Sequence, residues 1–257
     1  MGRIHGGLVS ITFRDLKPAQ VIELVVQSGL QGIEWGGDIH VPHGDTTVAE
    51  RVGEKTREAG LQVVAYGSYY RAGESEKTGL KFSDVCDTAK ALGTKVIRVW
   101  AGARSSADAD NEYRAKVRAD LLRISDWAGK HDMAIQMEYH GGTLTDTNQA
   151  ALQLQKSVVH PNLYFGWQPP NGESLQYCLR GLRSIKQRLC NLHVFHWIYR
   201  EGKRIRCPLA EGADRWPVYL REAADAPGER YALIEFVAGD TPDQYLADAA
   251  TLSGWLI

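Results

Sequence analysis

No stretch of this chain approaches the roughly 20 consecutive apolar residues that a membrane-crossing helix needs, and none of its 257 residues near the start forms a secretory-type apolar run. Cysteine is scarce, with four residues, Cys86, Cys178, Cys190 and Cys207, and no pair shows the Cys-x-x-Cys or zinc-finger spacing. Free thiols in a reducing cytoplasm are the expectation. Excess charge is missing too: the formal net charge is −1, which gives no general attraction for nucleic acid or an anionic membrane. A Gly-x-Gly-x-x-Gly turn, the signature of a dinucleotide-binding α/β sheet, is also absent; Gly6-Gly7 is expected to precede the first strand and cannot cradle a cofactor there.

What remains is an ordinary globular balance, 44% hydrophobic and 24% charged, in a length that suits one undivided α/β barrel. Short apolar runs alternate with amphipathic ones along the whole chain. The runs Leu8 to Thr12, Gly32 to Gly36, Leu61 to Tyr66, Lys95 to Trp100, Met133 to Tyr139, Leu163 to Trp167, Leu189 to Phe195 and Tyr231 to Val237 read as eight strands. Helical spacing lies between them, punctuated by Pro18, Gly60, Gly93 and Pro242. No composition break marks a linker, so a (β/α)8 barrel in one domain over residues 1–257 is expected, with its site at the C-terminal strand ends.

Polar groups near the ends of apolar strands then point to that site, because burying them there has a cost that needs a reason. Alternation along the strands places Gln136, Glu138 and His140 on one side of the fifth, and Asn191 and His193 on one side of the seventh. Glu235 ends the eighth, and Gln168 follows the sixth. If these sides face the barrel axis, Glu138, Gln168, His193 and Glu235 converge as a donor set for Mn²⁺, Mg²⁺ or Zn²⁺. Glu34, Tyr66, Arg98 and Trp100 have the parity to join them. His140 and His196 are candidates for substrate contact, as is Arg206 in the basic stretch Tyr199 to Arg206, whose alternative role is a solvated hairpin. Tyr66, Trp100, Trp167 and Trp197 could stack on the apolar face of a sugar, or simply pack.

Gly29-Leu-Gln-Gly-Ile-Glu-Trp35, Leu92-Gly-Thr-Lys-Val-Ile-Arg98, Met137-Glu-Tyr-His140, Leu192-His-Val194 and Leu233-Ile-Glu-Phe236 together resemble the xylose-isomerase-like TIM-barrel superfamily over essentially the whole chain. The resemblance implies a metal held by Glu138, Gln168, His193 and Glu235, with Gln168 standing where the family usually carries Asp. It also implies Mn²⁺ first, with Mg²⁺, Co²⁺ or Zn²⁺ as alternatives. Glu138 and Glu235 would then be catalytic acid/base groups of a sugar isomerase or epimerase working through an enediolate. A lyase or dehydratase acting on a keto-sugar or keto-inositol is the alternative, as is a non-catalytic sugar-binding barrel. The implied partner is a small sugar, and family habit implies a homodimer or homotetramer.

Overall fold

A computed structural model describes residues 2–256. Eight parallel strands close into a barrel: β1 (Ile4–Val9), β2 (Gly32–Gly36), β3 (Gln62–Arg71), β4 (Val96–Trp100), β5 (Ala134–Glu138), β6 (Leu163–Trp167), β7 (Leu189–Val194) and β10 (Arg230–Ile234). The strands between β7 and β10, β8 (His196–Arg200) and β9 (Lys203–Cys207), form a separate antiparallel hairpin. Helices α1 (Pro18–Ser28), α2 (Thr46–Glu58), α3 (Phe82–Leu92), α4 (Asn111–Lys130), α5 (Asn148–Ser157), α6 (Leu175–Ile185), α7 (Trp216–Ala224) and α8 (Pro242–Trp255) alternate with the barrel strands. None of these helices is long and apolar enough to cross a membrane.

The first strand starts earlier than the sequence pattern suggests and takes in Gly6-Gly7. Tight strand spacing explains the glycine: a Cβ at Gly7 would stand 2.5 Å from the Gly32 carbonyl oxygen of β2 and 2.6 Å from Leu233 Cδ2. Gly7→Ala is therefore expected to destabilise the barrel by about 1–3 kcal/mol, the usual cost of overpacking. Denaturant titration would read this as a lower midpoint, and an unchanged midpoint would refute the crowding argument.

Inside the barrel, Val9, Ile11, Val64, Ala65 and Leu233 make a small apolar cluster. Beside it Asn191 Nδ2 donates to Gln136 Oε1 at 3.0 Å, so these two buried amides satisfy one another. The larger core lies between strands and helices, where Trp35, Trp167, Trp216 and Tyr219 are buried.

A register shift between Ile33 and Glu34 settles one parity question. It pairs Glu34 with Ala65 and Trp35 with Tyr66, which sends the two aromatic side chains together into the outer core. Tyr66 donates its hydroxyl to the Val41 carbonyl at 2.9 Å and lies 2.7 Å from His43 Nδ1, away from the mouth.

The hairpin turns on Glu201 and Gly202, both with positive φ, 51° and 75°. Such a two-residue turn matches the twist of the flanking strands. Pairing of Trp197 with Arg206 and of Tyr199 with Arg204 puts these four side chains on one face of the ribbon. The basic stretch is thus a hairpin, as its alternative reading anticipates.

Candidate active site

At the C-terminal end of the barrel, one guanidinium and one imidazole sit among three buried carboxylates. Arg98 of β4 donates from Nε to Glu34 Oε1 at 2.5 Å and from Nη1 to Glu138 Oε2. Trp100 Nε1, two residues further along the same strand and on the same side, donates to the same Glu138 oxygen at 2.6 Å. The amide nitrogen of Gln168 reaches the other Glu138 oxygen at 3.4 Å and the Tyr139 carbonyl at 2.6 Å, while its Oε1 has no partner. Glu138 is thereby held on both oxygens.

His193 of β7 stands at the centre. Its Nε2 lies 3.3 Å from Glu34 Oε2, the hydrogen bond that fixes the ring. Its Nδ1 makes no hydrogen bond, although Glu138 Oε1 lies 3.6 Å and Glu235 Oε2 3.4 Å away. With Nε2–H donated to Glu34, a neutral ring turns the Nδ1 lone pair toward the two remaining carboxylates. This is the geometry by which an outer carboxylate orients a metal-binding histidine.

Burial works against every charge here, yet the neighbours prevail. Burial opposes ionisation of Glu138, but the Arg98 guanidinium and His193 hold its carboxyl well below the usual carboxylate range. Burial likewise opposes ionisation of Glu34, and Arg98 and His193 again keep its carboxyl low. Desolvation would discharge His193, but Glu235 and Glu34 raise its affinity for a proton well above normal. The cause is a surplus of negative charge. Glu34, Glu138 and Glu235 against Arg98 leave −2 around a neutral imidazole, and a lone proton on His193 neutralises only half of it.

A divalent cation would neutralise all of it. Donor atoms of Glu138, His193 and Glu235 lie within 4.8 Å of one another, all buried. Two carboxylate oxygens and an imidazole nitrogen suit Mn²⁺, Mg²⁺, Co²⁺ or Zn²⁺, so the residues present fit such an ion.

The expected site residues separate into two groups. Glu34, Arg98, Trp100, Glu138, Gln168, His193 and Glu235 are brought together. His140, just beyond β5, stacks on Trp100 at 4.3 Å and donates from Nδ1 to the Gly141 carbonyl, 2.6 Å away. Tyr66 is not at the mouth. His196 turns toward the segment after β9, where a Cβ on Gly212 would meet its Nδ1 at 2.9 Å, and burial lowers its proton affinity. Arg206 ion-pairs with Asp240 and lies over Phe236 at 4.5 Å, on the side of the mouth next to Glu235.

The aromatic candidates are largely occupied. Trp197 stacks on Phe195 at 4.1 Å and carries the Arg204 guanidinium 4.2 Å from its ring centre. Trp100 has His140 stacked on it and Arg71 at 4.8 Å. Trp167 is fully buried against Trp216 and Tyr219 in the outer core. The roles of Glu34 as partner of His193 and of Trp100 as donor to Glu138 were not legible in the sequence, which showed only that both side chains face inward.

A model of the xylose isomerase-like TIM barrel family matches residues 22–242. A 3-dehydroshikimate dehydratase of Bacillus anthracis is 28% identical over 165 residues, 61% of this chain. The match spans 58% of the length of that curated relative. Among solved structures, a probable 3-dehydroshikimate dehydratase of Bacillus anthracis superimposes with a TM-score of 0.79 at 21% identity, covering 97% of this chain and 99% of that one. A xylose isomerase-like TIM barrel protein of Mycobacterium smegmatis, in complex with magnesium, gives 0.75 at 12% identity, covering 98% and 96%. A D-allulose 3-epimerase from Methylomonas sp. gives 0.72 at 13%, covering 100% and 99%. At such identities the structural likeness speaks for the fold.

Proposed function

Because the chain belongs to the xylose isomerase-like TIM-barrel family, we propose that it is a divalent-metal-dependent lyase that removes water from a hydroxy-carbonyl compound of carbohydrate type. The observation that carries the metal is His193, whose Nε2 is engaged by Glu34 while its Nδ1 is left free between Glu138 and Glu235. Glu138, His193 and Glu235 would hold the ion, and Gln168 would add its unpartnered Oε1 if the amide turned over. The ion, when bound, polarises the substrate carbonyl and steadies the negative charge that develops on it.

The choice of elimination over isomerisation rests on how differently the two carboxylates are held. Proton exchange on two faces or two carbons asks both Glu138 and Glu235 to act as bases. Glu138 is pinned by Arg98, Trp100 and Gln168 and is a weak base there. Glu235 has no such donors on its side chain and is left free to act as the carbon base. In the proposed reaction Glu235 takes the proton next to the carbonyl, and the electron pair moves to expel the hydroxyl on the adjacent carbon. His140, whose Nδ1 is engaged by the Gly141 carbonyl, gives that hydroxyl a proton from Nε2, and it departs as water. Solvent then restores both groups. The likeness to the Bacillus anthracis dehydratase supports the same choice.

The test has two parts on one preparation. Mn²⁺ at about 100 times its dissociation constant is expected to stabilise the protein by about 2.7 kcal/mol, seen as a raised melting temperature that a chelator reverses. The same ion should switch on turnover of a keto-sugar, a keto-inositol or 3-dehydroshikimate, with loss of water in the product. Deuterium incorporation from solvent with no dehydrated product would instead mean isomerisation. No melting shift with any of Mn²⁺, Mg²⁺, Co²⁺ or Zn²⁺ would remove the metal from the proposal.

A further inference from the structure

Outside the metal-ligand cluster, at the same end of the barrel, a cleft of about 340 Å³ opens between the loops that follow β3 and β4. Arg71, Arg104 and Tyr113 line it together with Glu74, Ser75 and Thr78. Its volume falls at the small end of ordinary small-molecule sites, about 300–1,000 Å³. None of the carboxylates around His193 belongs to its lining.

The two arginines are held in place but engaged by nothing charged. A register shift between Gly67 and Tyr70 brings Arg71 level with Trp100, and its Cζ stands 4.8 Å from the centre of that ring. Arg104 Cζ stands 4.5 Å from the centre of the Tyr113 ring, whose hydroxyl in turn accepts from the Ala103 amide at 2.6 Å. Stacking fixes the plane of a guanidinium and leaves the N–H groups on its edge free to donate. Among the described residues, neither side chain makes a hydrogen bond or an ion pair.

Nearby carboxylates are committed elsewhere. Glu74, in the same lining, is taken by Lys116 at 2.9 Å and Lys77 at 3.6 Å. In the loop after β4, Asp108 accepts from the Ser105 hydroxyl and Asp110 caps α4 at the Tyr113 amide, 2.7 Å away. Arg71, Arg104, Lys77 and Lys116 thus gather around the one carboxylate of Glu74, a local positive excess in a chain whose formal net charge is −1. Such a field concentrates anions, and a fork of N–H donors matches the oxygens of a carboxylate or phosphoryl group. A hydroxyl brings no charge to match it, and an ammonium is repelled.

Trp100 connects this cleft to the centre. Its ring carries Arg71, and its Nε1 donates to Glu138 at 2.6 Å, so one indole separates the cleft from a ligand of the proposed ion. A short carbon chain or a single ring spans that width.

We propose that the cleft is an oxyanion subsite, in which Arg71 and Arg104 hold a carboxylate or phosphoryl group at the far end of the substrate. The assignment deepens the lyase reading and rests on it for the meaning of the neighbouring centre. It makes an anionic hydroxy-carbonyl compound the preferred substrate over a neutral one. Arg71 and Arg104 orient that compound and take no part in proton transfer.

The experiment measures binding without turnover. The full chain, stripped of metal with a chelator, is titrated by calorimetry at low ionic strength with inorganic phosphate and with malonate. In that state the centre itself carries surplus negative charge and rejects both probes, so binding reports on the cleft. At least one probe is expected to bind saturably, and the tighter of the two identifies the oxyanion. Arg71→Gln and Arg104→Gln are each expected to weaken it about tenfold, the worth of one hydrogen bond to a charged group. Because Arg71 also packs on Trp100, Arg104→Gln on its exposed loop is the variant that leaves the centre untouched. Lys95→Gln, before β4 at the opposite end of the barrel, should bind as the wild type does. Absence of saturable binding, unchanged affinity in either arginine variant, or an equal loss in Lys95→Gln overturns the subsite. Anion binding could persist where metal-dependent dehydration fails, and dehydration could persist where anion binding fails, so the two failures are told apart.

Discussion

Glu235→Gln is expected to lower kcat by about 10²–10⁴-fold, the contribution of a positioned general base. The amide keeps the size and one oxygen of the side chain, so the barrel should remain folded. What it loses is the ability to accept a proton from carbon. Glu138→Gln should also be slow, but for another reason: the Arg98 guanidinium and the Trp100 indole would lose the charged acceptor they share. Solvent deuterium separates the two variants. Washing of deuterium into recovered substrate should stop in Glu235→Gln, whereas Glu138→Gln should retain exchange relative to its residual turnover once saturated with Mn²⁺. Wild-type kcat in Glu235→Gln would eliminate it as the base.

The largest effect on stability is expected at Arg98. Its guanidinium is 1% exposed and is the shared partner of Glu34 and Glu138, 0% and 3% exposed. Arg98→Ala leaves those carboxylates buried without their countercharge, a change that typically costs about 3–5 kcal/mol. For a chain of this size that corresponds to a fall of roughly 6–20 °C in melting temperature. Arg98→Lys should lose less, because it keeps the charge but cannot fork between two carboxylates. Mn²⁺ should recover part of the loss in Arg98→Ala, since the same surplus of negative charge attracts the ion. Thermal melts of the three proteins with and without Mn²⁺ provide the check, and an Arg98→Ala protein that melts with the wild type would show that the ion pairs contribute nothing net.

These two predictions come from different levels of information. That Glu235 closes an apolar run, and that His193 and Glu138 do the same on their own strands, can be read from residue order, because burial of a lone polar group at a strand end demands an explanation. The eight-fold alternation of apolar and amphipathic runs can be read in the same way, since the period of each run is a local property. Arg98 is different. Alternation placed it inward, but its capture by Glu34 and Glu138 joins residues 64 and 40 positions away, and no local pattern encodes such a partnership.

The misplaced residues show where local reading stops. Tyr66 follows the alternation that would face it to the mouth, yet one register shift beside Glu34 pairs it with Trp35 and turns it outward. Strand period is strict only while the ladder is regular, so a single irregularity reverses every side chain beyond it. Gly6 and Gly7 appeared to precede the first strand because glycine weakens strand propensity; they lie within it because β2 and Leu233 approach too closely for a Cβ.

Residue order by itself therefore determined the barrel, the strand ends that carry the site, and the inward-facing Glu34, Arg98, Trp100, Glu138, Gln168, His193 and Glu235, since strand alternation, apolar periodicity and the cost of burying charge act within a few neighbouring residues. Only the tertiary structure decided that Glu34 orients His193, that Arg98 binds Glu138 while Glu235 stays unpinned, and that Arg206 of the hairpin pairs with Asp240. Each of these is a contact between side chains far apart in sequence, fixed by strand register and barrel closure.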